Sequence, residues 1–131
     1  MKIYGIGNDL TNIDRIKMSV KNKKFIIRMF NKSEIKKCNK LKKSANCFAK
    51  RFAAKEAFAK ALGIGISKGL KFKEISVLNI SSGKPTINLS GNTKKIVEKI
   101  LRTKKYKTLI SLSDDKSYGL ATLLIPLSKK H

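Results

Sequence analysis

Cys47–Ser67 reads CFAKRFAAKEAFAKALGIGIS, and the spacing of its apolar residues decides the fold. At roughly 100° per residue, Ala45, Ala49, Phe52, Ala53 and Ala59 fall within about 60° of Glu56. The spacing predicts a helix over 45–62, stopped by Gly63, with one carboxylate set into an apolar stripe. Its far side carries Ala54, Phe58 and Ala61, so the helix is apolar almost all round. Such a helix is expected to be buried on both sides, by its own sheet and by another subunit. Burying a carboxylate costs several kcal/mol unless it is paired or bound to a metal. The chain has eight acidic residues against 31 basic ones, so an acid placed here is no solubility device. Glu56 reads as a metal ligand or a catalytic carboxylate. An i,i+4 pair with Lys60 at the rim of the stripe is the structural alternative.

The 131 residues suit one domain, 1–131, with a proper core. No apolar run reaches the roughly 18–20 residues of a membrane span, and MKIYGIGNDL is too short in apolar residues for a signal peptide. The expected location is the cytoplasm. Cys38 and Cys47 are too few for a disulfide framework or a zinc site, and both read as reduced structural thiols. His131 is the one histidine, which excludes histidine metal sites and Ser-His-Asp chemistry. Any metal must be held by carboxylates, which favours a hard cation such as Mg2+.

The net charge of +23 calls for an anionic partner. Nucleic acid is one candidate, because neutralising phosphates releases counterions. Yet lysines number 27 and arginines four, whereas base readout and bidentate phosphate recognition favour arginine. Phe and Tyr sit in apolar patterns rather than among the cations, which disfavours base stacking. An acidic protein or a polyphosphate fits equally well.

Outward from the long helix, residues 2–10 alternate as a strand. Tyr4, Ile6 and Leu10 lie on one face; Ile3, Gly5, Gly7 and Asp9 lie on the other, where the glycines admit a ligand or another backbone. Helices are expected over 12–20, 23–30 and 32–43, with Asn31-Lys32-Ser33-Glu34 as a capping box. Strands over 75–80 and 86–89 flank the turn Ser81–Pro85, and a short helix covers 93–101. Strands over 107–113 and 118–125 form a second hairpin around Asp114–Ser117. The class is α+β, with N-terminal helices and one long buried helix packed on a mainly antiparallel sheet.

Gly5-Ile6-Gly7 lacks the third glycine of a dinucleotide fingerprint, and Gly83-Lys84 lacks the first glycine of a P-loop. Gly63-Ile64-Gly65-Ile66-Ser67-Lys68 can cradle phosphate oxygens with its N–H groups and lysine, or serve as a helix cap. Asp115 reads as a solvated turn residue. Asp114 follows a strand directly and would enter a site if that strand end lies near Glu56.

YGIGNDL with Asp9, RFAAKEAFAKALGIGI, the SSGKP turn and SLSDDKSYGLATLLI together closely resemble the bacterial holo-[acyl-carrier-protein] synthases, the small homotrimeric branch of the phosphopantetheinyl transferases. The resemblance runs in order along nearly the whole chain. It implies a phosphopantetheinyl transferase-like fold and a Mg2+-dependent transfer of the phosphopantetheine arm from coenzyme A to a serine of apo acyl carrier protein. It implies Asp9 and Glu56 as metal ligands and catalytic residues, and Lys60 as a group reaching a phosphate. Gly63, Gly65, Gly83, Lys84 and Pro85 would help form the coenzyme pocket. Many members have His where this chain has Asp114, which becomes a candidate general base. Carrier proteins are strongly acidic, so a basic surface of Arg15, Lys17, Lys21, Lys24 and Arg28 has a partner, with Arg15 carrying over best. A trimer with sites between subunits would follow. The competing reading is a small basic nucleic-acid-binding protein without enzymatic activity, which leaves Glu56 and Asp9 unexplained.

Overall fold

The computed structural model describes residues 2–64 and 69–127. Strand β1 (Lys2–Asn12) leads into helices α1 (Ile13–Ser19), α2 (Lys23–Met29), α3 (Lys32–Asn39) and α4 (Ser44–Leu62). A short 3-10 turn (Phe72–Glu74) opens the hairpin β2 (Ile75–Asn79) and β3 (Pro85–Leu89). Helix α5 (Gly91–Leu101) and the hairpin β4 (Leu109–Asp114) and β5 (Tyr118–Leu127) complete the chain. Every strand pairing is antiparallel, but the strands form two sheets rather than one: β1-β5-β4 and, apart from it, β2-β3.

Helix α4 lies against β1 and β5 because both surfaces are made of small residues. A Cβ on Gly5 would stand 1.9 Å from the carbonyl oxygen of Ala61, and one on Gly7 would stand 2.0 Å from that of Ala57. The bare face of β1 therefore admits another backbone, and Asp9, on that same face, is carried to the flank of α4. Ala121, Leu123 and Ile125 of β5, opposite Asp9, Gly7 and Gly5 in register, are buried in the same layer. Gly63 ends α4 in the left-handed region at φ 79°, donating its N–H back to the last turn.

The other side of α4 is covered by this chain alone. Phe48, packed edge-on to Phe30 with centroids 4.9 Å apart, faces α1 and α3. Phe58 joins the core of Phe72, Ile75, Val77 and Val97. The expectation that a second subunit covers this helix is thus corrected. The surplus of apolar surface lies instead on the outer face of the three-stranded sheet. There Ile6 and Leu10 are 63% and 60% exposed, opposite Leu124 and Leu120 in register.

A fully buried carboxylate does exist, but it is Glu34. As the third residue of α3 it closes the expected capping box with Asn31, and its Oε1 accepts from Lys55 Nζ at 2.6 Å. Its Oε2 accepts the Val77 N–H at 2.8 Å, and Lys55 also donates to the Phe72 carbonyl at 2.8 Å. The Lys55 ammonium stands 5.2 Å from the Phe30 ring centroid. One ion pair thereby ties α3, α4, the 3-10 turn and β2 together.

The cysteines correct a further expectation. Cys38 and Cys47 are joined as a disulfide with Cα atoms 5.4 Å apart. Nine residues of spacing reveal nothing of this; the turn that folds α3 back onto α4 brings the two sulfurs together.

Candidate functional site

Two cavities gather the polar residues singled out above. The first is lined by Asp9, Thr11, Asn12, Arg15, Phe25, Phe52 and Glu56, with Leu10, Ile16 and Ser19. Its carboxylates come from different elements: Asp9 from the α4-facing side of β1, Glu56 from α4 one turn past Phe52. Glu56 is half-buried rather than fully so. Burial pushes its pKa above the ordinary carboxylate range, the negative charge of Asp9 adds to this, and Lys60 opposes it. Phe25 and Phe52, centroids 6.1 Å apart, supply the low-dielectric wall.

Lys60 turns to Asp9 rather than to Glu56, its own i−4 neighbour. Its ammonium donates to Asp9 Oδ1 at 3.0 Å and to the Asn8 carbonyl at 3.1 Å. The second oxygen of Asp9 accepts from the Thr11 hydroxyl at 2.7 Å. Asp9 is thereby fixed in orientation, with an exposed cation at its open side (the Lys60 side chain is 57% exposed). Arg15 sits in the first turn of α1, whose cap Asn12 accepts the Arg15 N–H. This places its exposed guanidinium at the mouth of the cavity.

The second cavity is cationic. Lys37, Lys42, Lys43, Lys50 and Arg51 line it, with Leu41, Asn46, Cys47, Asn79 and Asp114. Arg51 is 5% exposed and its Nε has no hydrogen-bond partner. Its Nη2 donates to Asn79 Oδ1 at 3.0 Å and its Nη1 lies 3.3 Å from Cys47 Sγ. Burial lowers the pKa of Arg51. Burial and the Arg51 charge likewise lower that of Lys37. A buried guanidinium satisfied by neutral atoms alone, in a wall of lysines, calls for an anion.

Asp114 belongs to this second cavity. It accepts from Asn46 Nδ2 at 2.6 Å and pairs with Lys50 at 3.2 Å. Both contacts, the Asn46 hydrogen bond first, hold its pKa below the usual range. Asn46 and Lys50 precede Glu56 by ten and six residues, roughly 15 and 9 Å along α4. Within one chain the end of β4 therefore does not bring Asp114 beside Glu56. Asp115 closes the hairpin turn as expected, accepting the N–H groups of Ser117 and Tyr118 at 2.7 Å each.

Neither described glycine-containing turn lines these two cavities. Gly63 caps α4, and Gly65 lies outside the described residues. Gly83, at φ 89°, turns the hairpin that leads through Lys84 into Pro85 at the start of β3. That turn is tied to the cationic cavity, because Asn79 donates to the Gly83 carbonyl at 2.8 Å while accepting from Arg51. Sequence reading passed over Arg51, Lys50, Asn46 and Thr11. The i,i+4 ladder Cys47–Arg51–Lys55 and the Asp9–Thr11 alternation were the available signals.

Among the described residues no three His, Cys, Asp or Glu side chains converge as a metal-binding group, and no helix is long and apolar enough to cross a membrane. Residues 5–122 match the family model described as the 4'-phosphopantetheinyl transferase superfamily. A protein of Pelagibacter ubique named holo-[acyl-carrier-protein] synthase is 42% identical over 125 residues, covering 95% of this chain and 98% of that protein. The crystal structure of holo-[acyl-carrier-protein] synthase from Neisseria meningitidis superposes with a TM-score of 0.83 at 33% identity, over 95% of this chain and 98% of that one. The Bacillus anthracis holo-(acyl-carrier-protein) synthase in complex with CoA (3',5'-ADP) superposes with a TM-score of 0.78 at 31% identity, over 96% and 98%.

Proposed function

The chain belongs to the 4'-phosphopantetheinyl transferase superfamily, and from that premise we infer that it is a holo-[acyl-carrier-protein] synthase: it transfers 4'-phosphopantetheine from coenzyme A to a serine of apo acyl carrier protein, for fatty acid biosynthesis in the cytoplasm. The observation that carries the reading on the molecule itself is the pairing of Asp9 and Glu56 in one cavity with Lys60 at its edge.

The cavity suits a divalent cation. Burial, and after it the negative charge of Asp9, raises the cost of ionising Glu56. Mg2+ needs one or two protein carboxylates when phosphate and water oxygens complete its shell. Asp9 and Glu56 would hold it, and bound there it would neutralise the pyrophosphate on which charge accumulates. Thr11 keeps Asp9 aimed, and Lys60 is free to swing from Asp9 to a phosphate oxygen. The serine hydroxyl attacks the phosphorus that bears the pantetheine, the bond to the other phosphate breaks, and 3',5'-ADP leaves with the electron pair. The hydroxyl proton passes to water, directly or through a neighbouring base, because a carboxylate that holds the cation is a poor proton acceptor.

The coenzyme's phosphates match the cationic cavity, where Arg51 and the lysines await an anion and the Gly83–Pro85 turn forms a rim. The two cavities lie on different parts of one chain, so the reading includes a homotrimer in which the first cavity of one subunit faces the second of its neighbour. The apolar outer face of the β1-β5-β4 sheet, with Ile6 and Leu10, supplies the surface for that contact. In such a site Asp114 and Glu56 meet across the interface.

Apo acyl carrier protein, coenzyme A and Mg2+ incubated with the purified protein should yield carrier protein heavier by one phosphopantetheine in a mass spectrum. An unchanged mass at every Mg2+ concentration refutes the function. Retention of nucleic acid through moderate salt, with no transfer, would establish the non-enzymatic alternative.

Docking of the acidic carrier should depend on Arg15. Its KM for carrier protein is expected to rise with ionic strength and to rise several-fold in Arg15→Glu, while the KM for coenzyme A stays nearly constant. Equal losses for both substrates would signal misfolding instead. Asp114→Ala should act through Lys50 and Asn46, which lose their anchor. It should therefore raise the KM for coenzyme A more than it lowers kcat. A large fall in kcat at unchanged KM would make Asp114 the general base after all.

A further inference from the structure

The disulfide lies in the wall of the cationic cavity, and its position gives it a means of control. Cys47 is itself part of the lining, and the segment between the two cysteines contributes Lys42, Lys43 and Asn46. The turn that carries these lysines enters α4 at Lys43 without a side-chain cap. In the first turns of the helix, the covalent tie to α3 holds this end in place. Arg51 reaches Cys47 Sγ at 3.3 Å on one side and Asn79 on the other, and Asn79 reaches the carbonyl of Gly83. What happens at the sulfur is therefore felt both by the buried guanidinium and by the β2–β3 turn.

We infer that the Cys38–Cys47 pair is a redox switch on the cationic cavity: as the disulfide it fixes the Lys42–Lys43 wall and offers Arg51 only a weak neutral sulfur acceptor, leaving its charge to phosphate, and as two thiols it frees that wall and sets a competing thiolate against Arg51. The inference rests on the reading of this cavity as the coenzyme's phosphate site. Disulfides in a reducing compartment are usually transient and regulatory rather than structural staples. A cysteine beside a guanidinium favours the thiolate, which competes with phosphate for the same cation. The chemistry is a two-electron exchange with an external dithiol. The S–S bond breaks, each sulfur gains one electron, Cys38 takes one proton while Cys47 stays as the thiolate against Arg51 and the second proton passes to solvent, and the dithiol leaves as its cyclic disulfide. Both sulfurs are buried, so exchange requires the α3–α4 turn to open.

The test uses the full chain and 3',5'-ADP, a coenzyme fragment with no thiol of its own. Protein purified without reductant, protein reduced with dithiothreitol, and protein reoxidised after reduction are each titrated calorimetrically. Free thiols are counted by alkylation and intact mass. The oxidised form is expected to bind about five- to tenfold more tightly than the reduced form, with affinity restored on reoxidation. Cys47→Ser should not respond to dithiothreitol. Cys38→Ser, which leaves the Cys47 thiol beside Arg51, should bind more weakly than Cys47→Ser in either condition. Equal affinity of the oxidised and reduced wild-type protein, at thiol counts of zero and two, overturns the switch and leaves the function standing. Absence of 3',5'-ADP binding in both states, together with no transfer to carrier protein, overturns the functional reading and the switch with it. The wild-type titration needs no variant to fold.

Discussion

Glu56→Gln and Arg51→Ala subunits, each nearly inactive alone, are expected to recover about a quarter of wild-type transfer when co-assembled in equal amounts. Gln keeps the shape of Glu56 but loses the charge. Its kcat should fall by roughly 10²–10³-fold, as when a group acting on transition-state charge is removed. Arg51→Ala removes the buried guanidinium whose Nε stands unpartnered, and should act on coenzyme A binding. If each site takes its carboxylates from one subunit and its phosphate cations from the next, a mixed trimer contains one site with both parts intact. Random assembly makes three trimers in four mixed, hence about a quarter of all sites. Sites contained within one chain would show no recovery above the separate variants. Sedimentation of a stable, active monomer at micromolar concentration would refute the shared site. Thermal melts of each variant alone report whether loss of activity reflects loss of fold.

Breaking the Glu34–Lys55 pair should be the most damaging change to stability in the described part of the chain. Both side chains are fully buried. Lys55→Met leaves the Glu34 carboxylate uncompensated, and Glu34→Gln leaves the ammonium so; each is expected to cost about 3–5 kcal/mol. That is about a fifth or more of the total for a typical domain. The double variant should cost clearly less than the two singles together, because no lone charge remains. Urea unfolding followed by circular dichroism, at one fixed protein concentration, measures all three. Losses that simply add would show that the two charges do not support one another. The pH dependence has a definite sign. Burial lowers the pKa of Lys55 to about 8, with the charge and hydrogen bond of Glu34 opposing. Between about 8 and the unfolded lysine value near 10.4 the unfolded chain holds the extra proton, so the Lys55 contribution to stability rises with pH across that window. Lys55→Met should lose this rise.

Local patterns were legible wherever the cause is local. The length of α4, its stop at Gly63, the Asn31–Glu34 capping box and the two hairpins follow from periodicity, caps and turn residues that interact within a few positions. The bare face of β1 was visible as Gly5, Gly7 and Asp9, though alternation could not say whether a ligand or a backbone would fill it. The α4 carbonyls fill it, because Ala57 and Ala61 present no side chain to keep them away. Glu56 stands out in the sequence as an acid on an apolar helix, but its degree of burial depends on Phe25 and Phe52 meeting from separate helices.

Long-range placement was another matter. Lys55 and Glu34 are 21 residues apart and carry no mark distinguishing them from the other charges of a lysine-rich chain. Packing alone removes water from this pair and leaves the other described lysines at least partly solvated. Cys38 and Cys47 read as thiols because spacing says nothing about the turn that closes the gap between α3 and α4. Asp114 was rightly set at a strand end, yet which helix turn that end meets is settled by the register of β4 on β5 and of β5 on β1. Periodicity assigns a residue to a face of its own element. Assigning it a partner needs the relative position of two elements, and that comes from side chains competing for the same buried volume.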